Sequence, residues 1–156
     1  MKNLNLLIAT VLFATTLFIS SCGKKADGSS VSSSTTFTAN GTNYNYPSSD
    51  GMLAPSASNE MTENSADPAN SSNIILLQIA PNTSGAHALS LTTRVQWNVN
   101  SKTYASSATA TTGSITVAIS GNTATANFNA ILYNVSDQTD SVVISTGKYS
   151  GKYYSF

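Results

Sequence analysis

The sequence predicts an all-β protein, an antiparallel β-sandwich or partly open barrel of about seven to nine strands. First, residues 115–132 alternate apolar and polar side chains with a period of two, interrupted at Gly121-Asn122. Second, Asn40-Gly41 stands between two short alternating runs, which is the strongest local signal for a β-hairpin. Third, no segment of helical periodicity and useful length follows the first hydrophobic run.

The first 21 residues have the layout of a secretory signal peptide. Lys2 provides a basic start, residues 4–19 form a mostly apolar centre, and two small residues precede Cys22. The apolar centre is shorter than the ~18–20 residues that span a bilayer as a stable helix. We therefore expect this segment to be removed rather than to remain as a membrane span.

Cys22 is the only cysteine of the chain, and it follows Ile19, Ser20 and Ser21. This tetrapeptide resembles the lipobox of bacterial lipoproteins, in which an aliphatic residue and two small residues precede the cysteine. The resemblance implies cleavage before Cys22, lipidation of its sulfur and a cell-envelope protein that is anchored in a membrane. Gly23 follows in place of aspartate, which by the same resemblance favours the outer membrane. The alternative is an ordinary signal peptide followed by a free cysteine.

Composition divides the rest of the chain into a tether and one domain. Residues 22–36 are rich in serine and nearly free of apolar side chains, so the sequence predicts a flexible tether behind the lipid. Residues 37–156 are long enough for a single β domain with a hydrophobic core. Because the chain has one cysteine, packing and strand pairing must stabilise this domain without an internal disulfide.

The charge of the chain argues against two classes of partner. Seven basic and seven acidic residues give a formal net charge of zero. Nucleic acid requires a basic surface that releases counterions from phosphates, and anionic lipid headgroups also attract basic clusters. The sequence therefore predicts no nucleic-acid binding, and contact with a membrane only through the lipid on Cys22.

In the first half of the domain, residues 37–46 predict a hairpin that ends at Pro47. Residues 48–73 are rich in serine, asparagine and acids. They predict a long surface loop, disordered or with one helical turn near 58–63. Residues 73–80 form a short apolar run, which is typical of a strand that is buried on both faces.

In the second half, residues 81–85 predict a turn and residues 88–99 predict a half-buried strand. Tyr104 lies in a brief extended piece. The alternating strands of 115–132 follow, and residues 134–141 then predict a polar loop before the last strand.

The order of these motifs resembles a family of small lipoproteins from Bacteroidota-type bacteria that carry an uncharacterised all-β domain. The resemblance covers roughly residues 35–156 and rests on the Asn-Gly hairpin, the acidic loop and the buried apolar strand. It also rests on these C-terminal motifs: Tyr104, Gly113-Ser-Ile-Thr-Val, Ser120-Gly121, Asn127-Phe128 and Gly147-Lys-Tyr149. The chain departs from the family at 124–130, where alanine and asparagine replace bulkier residues. The resemblance implies an envelope location and an all-β fold, with no known activity.

Few side chains in the sequence suggest catalysis. His87 is the only histidine and is predicted to be a solvated loop residue, because one imidazole does not make a metal site. No strand-turn-helix elbow surrounds a serine that His87 could activate. Asp50, Glu60 and Glu63 leave open a carboxylate pair for glycoside hydrolysis, although a solvated loop is favoured. The sequence therefore predicts that the protein is not an enzyme.

Asp137-Gln-Thr-Asp140 is the one candidate for a cation site. Its two carboxylates could bind calcium together with backbone carbonyls, since hard cations prefer several oxygen ligands. The segment lacks the dense repetition of Asp, Asn and Gly that calcium loops carry, so a polar turn is favoured. The sequence predicts no metal and no cofactor.

Aromatic side chains provide a second functional hypothesis. Tyrosine rings beside Asn and Thr can stack on sugar rings and bind their hydroxyls. The possible ligand-face aromatics are Trp97, Tyr104, Tyr149, Tyr153 and Tyr154. Tyr153 and Tyr154 are neighbours on a strand and must point to opposite faces, so one of them is expected to be exposed. The favoured alternative is cross-strand pairing that only stabilises the sheet.

Taken in order of preference, three functions remain. The first is a lipid-anchored, non-catalytic β domain of the cell envelope that acts as a structural or interaction module. The second is a glycan-binding lipoprotein of a nutrient-uptake system, which an exposed row of aromatic rings would favour. The third is a hydrolase with its acids in residues 48–73, which a pocket that joins two carboxylates would favour.

Overall fold

The computed structural model describes residues 31–106 and 112–156, and within these ranges it contains eleven strands and no helix. The strands are β1 (Ser33–Ala39), β2 (Thr42–Ser48), β3 (Met52–Ala54), β4 (Met61–Asp67), β5 (Asn70–Ile79), β6 (Gly85–Ala88), β7 (Arg94–Val99), β8 (Lys102–Ala105), β9 (Gly113–Ser120), β10 (Thr123–Asn134) and β11 (Asp137–Ser155). The predicted all-β class is confirmed, with more strands than expected. No helix in these ranges is long and apolar enough to cross a membrane. The predicted signal peptide and Cys22 lie outside the described residues.

The strands form one sheet that folds over on itself into two facing layers. The first layer has the order β2-β1-β11-β10-β9-β6, and the second has the order β3-β4-β5-β7-β8. The layers join at two places, where β11 pairs in parallel with β3 and where β10 pairs with β8. Between the layers, the rings of Phe37 and Trp97 have centroids 5.4 Å apart. These pairings close a circuit of strands that is compatible with a sandwich or a partly open barrel.

The β10–β11 hairpin lies at the centre of the first layer and follows the alternation of the sequence. The inward side chains of β10 are all buried: Ala124, Ala126, Phe128, Ala130 and Leu132. The polar residues between them face outward, most of them exposed. Both strands predicted between 115 and 132 are therefore confirmed, and the turn between them places Gly121 at a φ of 55°.

Gly147 lies between two phenylalanines on the neighbouring strands of this layer. It pairs with Phe37 of β1 on one side and with Phe128 of β10 on the other. A Cβ atom at position 147 would lie 2.2 Å from the Phe128 ring, so only glycine leaves room for this packing. Aromatic side chains commonly cover glycines of neighbouring strands in this way.

The predicted hairpin around Asn40-Gly41 is confirmed by the pairing of β1 with β2. Asn40 and Gly41 have φ angles of 47° and 83°, the left-handed pair that a two-residue hairpin requires. Two of the predicted boundaries are wrong. The hairpin continues through Pro47, which is tolerated because β2 is an edge strand of the sheet. The tether was predicted to reach residue 36, but β1 begins at Ser33.

The loop predicted at 48–73 is also wrong, because this segment contains β3, β4 and the start of β5. The inward positions of β4 are Met61, Glu63 and Ser65, and all three are buried. Two of these three side chains are polar, so the strand lacks the apolar alternation by which half-buried strands are recognised.

The structure refines three other predictions of strands and loops. The strand at residues 73–80 is confirmed, but it is fully buried on one face only, and its other face is half-buried. The single strand predicted over 88–99 is instead two, β6 and β7, separated by a loop. The loop predicted over 134–141 is a tight turn, after which β11 begins at Asp137.

The aromatic part of the core connects the first hairpin to the opposite layer. Phe37 stacks on Tyr44 with a centroid distance of 5.0 Å, and both rings contact Trp97. Tyr46 meets Phe37 edge-on, and Trp97 contacts Tyr104 at 6.3 Å. Aromatic pairs of this geometry stabilise a fold beyond their buried area.

Candidate functional site

A groove of about 660 Å³ crosses the outer face of the first layer. Five strands contribute to it, in the order β2, β1, β11, β10 and β9. Most of the side chains at its surface are amides and hydroxyls: Thr36, Thr38, Asn43, Asn45, Ser114, Thr116, Asn127, Asn129, Ser145 and Thr146. Phe37, Tyr44 and Phe128 also line it, and Lys148 is its one charged lining residue.

The register of the strands places five of these residues in one continuous row. Asn45 pairs with Thr36, Thr36 with Lys148, Lys148 with Asn127, and Asn127 with Thr116. Neighbouring strands lie ~4.8 Å apart, so four spacings give the row a length of ~19 Å. The row runs across the strands, and its members come from three separate parts of the sequence.

A second set of polar side chains lies beside this row. Thr38 is the partner of both Asn43 and Thr146, and Asn129 pairs with Ser114. Thr38 Oγ1 donates to Asn43 Oδ1 at 2.7 Å and accepts from Thr146 Oγ1 at 3.0 Å. These bonds hold the hydroxyls of this side in fixed positions.

The groove follows from the two-residue period of the strands. Every second side chain of β1, β10 and β11 enters the core, so the polar residues between them form the outer face. The register shifts between Thr38 and Ala39 and between Phe128 and Ala130. Such bulges bend a strand and increase its twist, which favours a concave face.

The exposed row of aromatic rings that would have favoured glycan binding through these residues is not formed. Trp97, Tyr104 and Tyr149 are buried, because they occupy inward positions of β7, β8 and β11. Tyr153 packs partly against the core, whereas Tyr154 is 43% exposed. The prediction that Tyr153 and Tyr154 face opposite sides, with one exposed, is confirmed.

Glu63 is fully buried in a small cluster of hydroxyls between β1 and β4. Thr35 Oγ1 donates to Glu63 Oε2 at 3.0 Å, and Ser65 Oγ lies 2.5 Å from Glu63 Oε1. Ser65 Oγ also lies 2.9 Å from Thr35 Oγ1, so the three side chains form a closed triangle. The sole ion pair among the described residues joins Lys102 and Asp140, which leaves Glu63 without a counterion in that part of the chain.

Burial raises the pKa of Glu63 above its ordinary value, and hydrogen bonds from Ser65, Thr35 and Ser48 oppose this shift. A second cavity of about 440 Å³ lies next to this cluster, and Ser48 and Ser65 are among its lining residues. Of the other two candidate acids, Asp50 is exposed and Glu60 accepts from Gln78 Nε2 at 2.7 Å. None of the three acids lines the groove or the second cavity.

Asp140 holds together the junction of β8 with β10. Its Oδ2 accepts hydrogen bonds from Asn134 at 3.0 Å, Lys102 at 2.9 Å and Tyr104 at 2.9 Å. These bonds lower the pKa of Asp140 to about 2, with Asn134 as the largest cause. The described residues contain no group of three or more His, Cys, Asp or Glu side chains that could hold a metal ion.

His87 was predicted in a solvated loop, and the structure corrects this prediction. The residue lies in β6, and its side chain is buried. Its Nε2 atom lies 2.9 Å from the carbonyl oxygen of Thr83, which is a backbone contact within the preceding turn. The pairing of His87 with Ile115 of β9 explains its burial, because both side chains point into the core.

Comparison of the chain with protein-family models, with curated proteins and with solved structures gave no match. The resemblance to Bacteroidota-type lipoproteins therefore stays a prediction from the sequence motifs.

Proposed function

We propose that the protein is a non-catalytic interaction module of the cell envelope, anchored in the outer membrane by a lipid on Cys22, and that its groove binds a glycan. The observation that carries the proposal is the row of Asn45, Thr36, Lys148, Asn127 and Thr116 across five adjacent strands. The chemistry of this row, together with its length, supports a hydroxyl-rich, extended ligand.

Sugar hydroxyls donate and accept hydrogen bonds, and the groove offers both functions at short intervals. An asparagine amide carries two donors and one acceptor oxygen, and a threonine or serine hydroxyl serves as either. Within the described chain, the amides of Asn45, Asn127 and Asn129 make no side-chain hydrogen bond to protein atoms, while Thr38 and Thr146 are already positioned by theirs.

The glycan proposal therefore rests on a different surface from the one that the sequence suggested. The groove is lined by amides and hydroxyls on the outer face of β1, β10 and β11, whereas Trp97, Tyr104 and Tyr149 lie in the core. The buried rings support the structural role that was favoured for them. Placement of the domain in a nutrient-uptake system is part of the same proposal and requires a glycan ligand.

Binding is tested with the purified full-length protein in detergent, by calorimetry against a panel of oligosaccharides. In Asn127→Ala, loss of one or two hydrogen bonds should weaken binding roughly 3–10-fold. The matched control is Asn59→Ala, because Asn59 is exposed and lies outside the groove. Equal affinity in both variants, or no binding by the wild type, would contradict the proposal.

The anchor is tested separately by intact-mass analysis of the membrane fraction. A mature chain that begins at Cys22 and carries acyl groups is expected for the wild type, and Cys22→Ala should abolish it. A soluble mature chain without lipid would overturn the anchoring part of the proposal and leave the groove unaffected.

A further inference from the structure

Lys148 lies at the centre of the row that crosses the groove. Its neighbours are Thr36 on β1 and Asn127 on β10, and beyond them the row continues to Asn45 and Thr116. The side chain is exposed. A ligand that occupied the length of the row would therefore have to pass over this ammonium group.

The charge of Lys148 is not balanced within the groove. All of the other lining side chains are neutral, and no acid is among them. In the described part of the chain, the one ion pair involves Lys102 and Asp140, at the junction of β8 with β10. Lys148 therefore presents an ammonium with three donors and no acceptor to whatever enters the groove.

A neutral glycan and an acidic glycan would meet this lysine differently. A neutral ligand would displace water from the ammonium and replace it only with hydrogen bonds to sugar hydroxyls. An anionic group would instead form a charge-assisted hydrogen bond with the ammonium. Bonds to charged groups are worth about two to three times as much as neutral ones. The amides on both sides of Lys148 can bind the hydroxyls of the same sugar chain.

We infer that the groove selects an anionic glycan, in which a carboxylate or sulfate group of one sugar residue pairs with Lys148. This inference rests on the proposed function and specifies the class of ligand. The neutral amides and hydroxyls supply affinity along the chain, and the lysine supplies the discrimination. Because the pair is exposed, its contribution should decrease as ionic strength rises.

The test compares three probes of equal length on the full-length protein in detergent, by calorimetry at low and at physiological salt. The probes are an oligogalacturonate, its fully methyl-esterified form and a sulfated galactose oligomer. The wild type should bind at least one acidic probe roughly 2–5-fold more tightly than the methyl ester, the effect of one exposed ion pair. The preference between carboxylate and sulfate then identifies the anionic group.

The variant Lys148→Met should lose this discrimination, so that it binds the acidic probes no more tightly than the methyl ester. Lys152→Met is the matched control, since it removes the same charge from the same strand outside the lining of the groove. The fluorescence of Trp97, the single tryptophan, reports whether each variant is folded. A loss of discrimination in both lysine variants would overturn the inference, because it would indicate only general attraction.

Two further results separate this inference from the proposed function. If the acidic probes and the ester bind equally and Asn127→Ala weakens them all, the inference fails and glycan binding stands. If none of the oligosaccharides binds, both fail.

Discussion

Replacement of Glu63 by glutamine should stabilise the protein at neutral pH. The reason is that the hydrogen-bonded cluster around Glu63 has more oxygen pairs than hydroxyl hydrogens to fill them. Three oxygen pairs connect Glu63, Thr35 and Ser65, at 2.5, 2.9 and 3.0 Å. The two hydroxyls supply one hydrogen each, so the third pair has a hydrogen only when the carboxyl group is protonated. A hydrogen bond from Ser48 would not supply it, because that hydrogen lies outside the triangle.

The triangle therefore fits a neutral Glu63, and burial raises the pKa of this group in the same direction. In the unfolded chain the pKa is near its ordinary value of 4.5. Between that value and the raised one, the folded state binds more protons than the unfolded state, so stability falls as pH rises through this window. The loss amounts to about 1.4 kcal/mol for each unit by which the pKa is raised.

Glutamine imitates the protonated acid. Its amide can donate to Ser65 where the carboxyl proton would lie, and its carbonyl can accept from Thr35, so all three bonds remain. We expect the variant to match the wild type below pH 4.5 and to exceed it above the window, with a difference of about 1.4 kcal/mol per unit of raised pKa. Tyr149 is the other titratable group near Glu63, and burial raises its pKa as well, so it stays neutral throughout this range.

Urea unfolding followed by Trp97 fluorescence from pH 4 to pH 8 measures the effect at intervals of about half a unit. Glu60→Gln is the control for loss of one carboxyl group, because Glu60 is only partly buried and binds Gln78 with an oxygen that glutamine retains. Parallel curves of stability against pH for Glu63→Gln and the wild type would refute the count of hydrogens. So would a variant less stable than the wild type at pH 7.

Two other changes test the packing and the junction. Gly147→Ala places a Cβ 2.2 Å from the Phe128 ring and should destabilise the protein by about 1–3 kcal/mol, and Phe128→Leu in the same chain should recover part of this loss. Additive losses in a double-mutant cycle would disprove the contact. Asp140 has its pKa lowered from 3.8 to about 2, so its contribution to stability is present above pH 3.8 and is lost as pH falls toward 2. Asp140→Asn should therefore flatten the acid limb of the stability curve, and an unchanged limb would refute the role of this junction.

The parts of the fold that the sequence predicted correctly are those in which neighbouring residues carry the signal. The apolar alternation of β10 and the Asn40-Gly41 turn depend on positions one or two apart, so they can be read without knowing the partner strand. β4 was missed because Glu63 and Ser65 face inward. Their burial is compensated by Thr35, which lies 28 residues before Glu63, and no local pattern shows that contact. For the same reason the end of the tether was placed too late, since Thr35 is a buried hydroxyl in a serine-rich stretch.

The groove could not be predicted from the sequence. Its central row depends on the register of five strands, and a shift of one residue in any pairing would turn that strand's polar face inward. Asn127 and Lys148 looked like ordinary outward-facing residues of separate strands, and only the pairing of β10 with β11 brings them side by side. The aromatic residues drew attention by their number, but their positions relative to the two-residue period directed Trp97 and Tyr149 into the core.

The short junction between β8 and β10 should be the first place where solvent reaches the backbone amides of the sheet. The contact of β8 with β10 consists of two residue pairs, Ala105 with Tyr133 and Tyr104 with Asn134. A brief separation there would leave every other strand pair in place, because β8 stays on β7 and β10 stays on β9 and β11. Amide hydrogens near this junction should exchange through such small openings, while those of the β10–β11 hairpin should exchange only on global unfolding. Protonation of Asp140 would increase this difference in exchange rate, so mild acid would open the β8–β10 junction before it unfolds the whole molecule.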